Sequence, residues 1–245
     1  MRLAAAAVLL VVLLAASAPA GGASARLPIT VYAAASLTDA FAKLAPAETY
    51  SFGGSNMLEA QIELGAPADV FASANLTLPE KLYAKRLCSK PVVFTRNALV
   101  LIVPKSNPAK IRTVADLARA GVKLDIAAAK VPAGGYTLQV LKNLGLTAAV
   151  LPQVVSRETD VREVLAKVAL GEADAGFVYA TDAKTVARKV TALRLPTRAQ
   201  PDVAYGICVV SASSDKAGAR AFVARVLGAA GQAVLRSFGF LPRGG

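Results

Sequence analysis

The sequence predicts an α/β fold of two lobes joined by two strands. Three observations lead there. Strand-like apolar runs alternate with helical patterns from Leu27 onward; the series halts at Pro104 and then starts afresh; and a polar, proline-bearing stretch, PTRAQPD, precedes a late strand-like run, VAYGICVV. Alternation of this kind implies parallel-rich sheets with helices on both faces. A restart followed by a late return strand implies that the chain leaves one lobe, builds a second and comes back.

Residues 1–25 stand apart from this pattern. One positive charge at Arg2, an apolar stretch from Leu3 to Ala16 and two small-x-small sites, Ala18-Pro19-Ala20 and Ala23-Ser24-Ala25, make a secretory signal peptide with cleavage expected after Ala25. The stretch is shorter than the roughly 18–20 residues of a spanning helix. No cysteine follows it at the distance a lipid anchor needs, so a soluble periplasmic or extracytoplasmic protein is expected. About 220 residues remain, enough for two lobes with cores of their own.

The first lobe is expected at residues 26–102 and 206–245, and the second at 103–205. In the first, strands ITVYAA, TYSF and DVFASA alternate with helices SLTDAFAKLA, NMLEAQIEL and LPEKLYAKR. NALVLIVP is a buried strand closed by Pro104. IRTVADLARAG then opens a helix and the second series, which runs through KLDIAAA, YTLQVLKNLG, PQVVS, TDVREVLAKVALG, ADAGFVYA and TDAKTVARKV to a strand at ALRL. Its clearest helix begins near Thr159, with Val161, Val164, Leu165 and Val168 at i, i+3, i+4 and i+7, a stripe that packs on a sheet. The segment from Lys216 onward returns as helices to the first lobe. No internal repeat stands out.

Twenty-eight basic residues against 16 acidic ones give a net charge of +12, and there is no histidine. Such a field draws anions. Lys and Arg are scattered and not interleaved with aromatics, which excludes the usual nucleic-acid footprint. There is no GxSxG, no phosphate loop and no cysteine pair at metal spacing, so an enzyme is not expected. Serine/lysine hydrolysis using Lys43 or Lys130 stays open as an alternative. Cys88 and Cys208 either pair in an oxidising compartment or serve as two small buried hydrophobes.

Four junctions offer unpaired backbone N–H groups and a positive dipole end, where an oxyanion could sit. They fall at Ser36 in ITVYAAASLTDAF, Ser55 in TYSFGGSNMLEAQI, Ala133 in VPAGGY and Val161 in TDVREV. Ser36 with Asp39 also has the spacing of a capping box, a purely structural role. Ser55 follows two glycines that let backbone approach a ligand. Tyr179 closes AGFVYA, where its phenol either donates into a cleft or covers the sheet edge.

AAASLTDAF, GGSN followed by GAPADVFASA, VPAG, TDVREVL and AGFVYATDA resemble, in that order, the signatures of the periplasmic molybdate-binding proteins of ABC transporters. The resemblance spans nearly all of the chain after residue 25. It implies the type II periplasmic binding protein fold, a hinge of two strands, and a ligand, molybdate or tungstate, held by neutral donors. Carried onto this sequence, those donors are Ser36, Ser55, Ala133, Val161 and Tyr179. It further implies no cofactor, no directly coordinated metal, a monomer, and an ABC permease and ATPase as partners. Two departures stand out: the segment from Ser36 to Ser55 is shorter than in the family by about two helical turns, and IAAAKVPAG lacks the polar run that usually precedes VPAG. Rival ligands are sulfate, phosphate, ferric iron or a small organic anion, the last met by an arginine such as Arg157 or Arg162. The sensory domain of a transcription regulator shares the architecture but carries no leader.

Overall fold

The computed structural model describes residues 27–244. The expected signal peptide and its expected cleavage after Ala25 lie outside them. In the first lobe, β1 (Thr30–Ala34) passes through a 3-10 turn (Ala35–Leu37) into α1 (Thr38–Leu44). Next come β2 (Thr49–Gly53), α2 (Ser55–Glu63), β3 (Val70–Ser73), α3 (Thr77–Ala84) and β4 (Val92–Asn97). Ala98 alone separates β4 from β5 (Leu99–Pro104), which belongs to the second sheet. The second lobe continues with β6 (Leu124–Ala127), α4 (Pro132–Asn143), α5 (Thr147–Val150), β7 (Val154–Glu158), α6 (Val161–Leu170), β8 (Ala175–Tyr179), α7 (Ala180–Thr185) and β9 (Val190–Arg194). After a stretch holding a short 3-10 turn (Thr197–Ala199), β10 (Val203–Val209), α8 (Lys216–Leu227) and α9 (Ala229–Phe238) return to the first lobe.

The two sheets share one design. Their strand orders are β2-β1-β3-β10-β4 and β7-β6-β8-β5-β9. In each, the first three strands are mutually parallel, and the fourth runs antiparallel to both of its neighbours. The sheets are therefore mixed, with four strands pointing one way and a single reversed strand, β10 or β5, contributed by the chain as it enters the lobe. This repeat of topology is invisible in the residues, because it is a repeat of direction and order and not of side chains.

The structure also moves the lobe boundaries. β5 lies wholly in the second sheet and β10 joins the first from Val203, so the crossings are at Ala98 and between Arg194 and Val203, earlier than 102/103 and 205/206. Every residue of β5 is buried, and such a run carries no mark of which sheet it joins. The break is made locally at Asn97, whose Oδ1 accepts from the Ala98 N–H at 2.9 Å. The expected helix at IRTVADLARAG is only a 3-10 turn (Val114–Ala118), held by a Thr113/Asp116 capping box and followed by Gly121 at φ +83°.

The valine and leucine stripe of α6 is buried as its spacing predicts. It lies so close on β8 that a Cβ at Gly176 would come within 2.6 Å of Val164, so only glycine permits this packing. α8 packs on β10 and α9 on α1, which returns the C-terminal helices to the first lobe. Cys88 and Cys208 are free thiols buried in one cluster with Leu58, Phe71 and Leu82. Among the described residues no helix is long and apolar enough to cross a membrane.

Candidate functional site: a cleft of neutral donors

A pocket of about 210 Å³ lies between the lobes where strand ends from both sheets meet. Ser36 follows β1, Ser55 follows β2 and Ala74 follows β3; on the facing lobe Ala133 follows β6, Val161 follows β7 and Tyr179 ends β8. The matched topology thus delivers three strand ends from each side. All five residues singled out in the sequence line this one pocket, and Lys43, Lys130, Arg157 and Arg162 do not. Among the lining residues only Asp160 has an ionisable acid, and no lysine or arginine is present.

Each helix start leaves N–H groups uncapped. α2 begins after Gly54 and α4 after Val131, both without a side-chain cap, so their first amides, including those of Ser55 and Ala133, have no intrahelical acceptor. α6 is capped by Asp160, but that carboxylate takes the Arg162 and Glu163 N–H groups at 2.7 and 3.2 Å and leaves the Val161 N–H uncapped. Burial pushes the Asp160 carboxyl up against these bonds.

The hydroxyls are oriented from behind. The Ala74 N–H donates to Ser55 Oγ at 3.1 Å, so the serine's own proton remains for another acceptor. Ser36 is not the helix cap that its spacing with Asp39 suggested: α1 starts at Thr38 without a side-chain cap, and Ser36 Oγ lies 2.8 Å from Tyr205 Oη instead. Tyr179 Oη is fully buried and has no hydrogen-bond partner. Burial holds its pKa well above the usual 10, and the nearby Tyr205 phenol adds to this, so it is a neutral donor at any working pH.

The lobes meet around the pocket. Arg162 on α6 donates to Asp39 on α1 and to the buried Asp182 on α7, each at 2.7 Å. Burial raises Asp182 to about 6 while Arg162 opposes the rise. Tyr136 Oη reaches the Ala74 carbonyl at 3.4 Å. A Cβ at Gly54 would collide with the Thr159 carbonyl of the facing lobe, which accounts for glycine there. Sequence reasoning missed Ala74, although its place just past the end of β3 mirrors that of Tyr179 at the end of β8. It also missed Tyr205 and Asn97, which carry no local signal because their partners are distant in the chain.

Residues 29–241 match the family model of the bacterial extracellular solute-binding proteins. The chain belongs to that family. The molybdate-binding protein ModA of Mycobacterium tuberculosis is 39% identical to this solute-binding protein, covering 91% of this chain and 87% of its own. ModA of Escherichia coli is 32% identical, with 86% and 88% covered. Among solved structures, the periplasmic molybdate-binding protein of Azotobacter vinelandii superposes with a TM-score of 0.77 at 26% identity, covering 87% of this chain and 98% of that one. The sulfate-binding protein SubI of Mycobacterium tuberculosis gives 0.79 at 19% identity over 89% and 87%, a likeness of fold alone. The two-lobed architecture is therefore that of the type II periplasmic binding proteins, as the sequence motifs implied.

Proposed function

We propose that this protein captures a fully deprotonated tetrahedral oxyanion, molybdate or tungstate, in the cleft and delivers it to an ABC importer made of a permease and an ATPase. Ser36, Ser55, Ala133, Val161 and Tyr179 bind the anion's oxygens; no cofactor and no directly coordinated metal takes part. The protein acts outside the cytoplasmic membrane, as a monomer, and as a binder, not an enzyme. The observation that carries this reading is the Tyr179 hydroxyl, buried and without a partner in a pocket that also presents two serine hydroxyls and the uncapped amides of three helix starts. A buried orphan of this kind costs about 1–3 kcal/mol unless a ligand satisfies it. A dianion with acceptors only does so at every oxygen, whereas a protonated oxyanion brings a hydrogen that the uncapped amides of the site cannot accept. The enclosed cavity within the pocket, about 10 Å³, is also far smaller than the ~300–1,000 Å³ of typical sites for organic molecules, which favours an inorganic ion over an organic solute.

Isothermal titration of the chain from Arg26 to Gly245 with molybdate, tungstate, sulfate and phosphate tests this. Tight binding of the first two with weak or no binding of the others is expected. Equal binding of phosphate would refute the donor-only account, and no heat from any of the four would remove the oxyanion function.

A further inference from the structure

A serine hydroxyl donates or accepts with equal ease, so a site that rejects protonated anions must fix the direction of its serines. Behind Ser55 a backbone N–H does this. Behind Ser36 stands another hydroxyl, Tyr205 Oη, and the direction of that bond is settled one step further back. Asn97 Oδ1 accepts from the Ala98 N–H at 2.9 Å, which orients the amide. Its Nδ2 therefore faces Thr181 Oγ1 at 2.9 Å and Tyr205 Oη at 3.4 Å, and it can only donate. Tyr205 Oη, receiving that bond, has one proton left to place, and Ser36 Oγ at 2.8 Å is its acceptor. The reverse direction would aim the phenol proton at an amide donor in a fully buried site, an arrangement that costs a buried hydrogen bond.

We infer that Tyr205, held by Asn97, is a specificity-determining positioning residue that leaves the Ser36 proton to point at the ligand and so biases the cleft against protonated oxyanions. This rests on the oxyanion reading of the cleft. Tyr205 does not line the pocket and acts through Ser36 alone. Burial keeps its phenol protonated. The relay starts where the chain crosses between lobes, since Asn97 ends β4 and Thr181 lies on α7.

Tyr205→Phe removes the hydroxyl and keeps the ring against Phe94, Tyr179 and Phe240. Asn97→Asp is the second variant: it offers the phenol an acceptor and turns its proton away from Ser36. Wild type, both variants, Ser36→Ala and the Ser36→Ala/Tyr205→Phe double variant are titrated with molybdate, and with phosphate as competitor, at neutral pH where phosphate carries at least one proton. Molybdate binding is expected to weaken about ten-fold in Tyr205→Phe, and phosphate binding to hold or rise, so the preference narrows. Asn97→Asp narrows it likewise, and Tyr205→Phe adds no further loss once Ser36 is alanine. Wild-type preference in both variants, or an equal loss with and without the serine hydroxyl, overturns the inference. Should Tyr205→Phe not fold, Asn97→Asp decides by the same ratio. A wild-type protein that binds no molybdate defeats the oxyanion reading instead, which separates the two failures.

Discussion

Replacing Tyr179 by phenylalanine should make the unliganded protein more stable and the complex weaker. In the structure the phenol is fully buried, its oxygen has no hydrogen-bond partner, and its ring packs edge-on against Tyr136 and Tyr205. Phenylalanine keeps that ring packing and leaves no sizeable cavity. It removes an unsatisfied polar atom, whose desolvation costs about 1–3 kcal/mol. Taking about 1 kcal/mol as the relaxed gain, Tm should rise by roughly 2–4 °C for a chain of this size. In the complex the lost bond is charge-assisted, worth about 1.5–3 kcal/mol, so molybdate affinity should fall roughly 10- to 150-fold. Calorimetric titration gives the affinity, and thermal melts with and without molybdate give both stabilities. Unchanged affinity would show that the anion does not meet this hydroxyl. A fall in both stability and affinity would show that the phenol has a structural partner, and the orphan argument would fail.

Three further outcomes are expected. Gly54→Ala places a Cβ against the Thr159 carbonyl of the facing lobe, so molybdate affinity should drop about ten-fold or more and the unliganded melt should fall as well; titration and melting read the two together. Asp39→Asn cuts the half-exposed interlobe pair with Arg162, and affinity should fall about two- to five-fold at low salt, with the difference from wild type shrinking in high salt. Asp125 on β6 is buried, and burial followed by the nearby Glu158 charge raises its pKa from 3.8 to about 7. A folded pKa above the unfolded one means that the stability from this carboxyl is complete below the unfolded value and is lost as pH rises toward 7. Asp125→Asn should accordingly gain about 1–2 kcal/mol over wild type above pH 7, and little at pH 4, in melts across that range.

How much of this was legible in the residues depends on the range of the contact that fixes each feature. Ser55, Ala133 and Val161 could be found because a strand running into a helix is written in adjacent residues, and the amides it leaves free need no distant partner. The α6 stripe was legible for the same reason. Ser36 lines the pocket but lacks the capping role that its spacing also offered: the Ser-x-x-Asp spacing is local, whereas the bond to Tyr205 spans 169 positions and draws the hydroxyl off the helix end. Arg162 is the same case. Its sequence neighbours allowed a solute-binding arginine, and only the fold brings Asp39 and Asp182 to it and spends its charge on holding the lobes together. The lobe boundary slipped because β5 is buried throughout, and uniform apolarity erases the mark that a half-exposed strand would carry. The positions of the donors are therefore set by local sequence and their directions by long-range packing. On the proposed reading, discrimination between a bare and a protonated oxyanion is a matter of direction and rests on residues such as Tyr205 and Asn97 that no motif contains, so transplanting the five donor positions alone should carry over oxyanion binding without its selectivity.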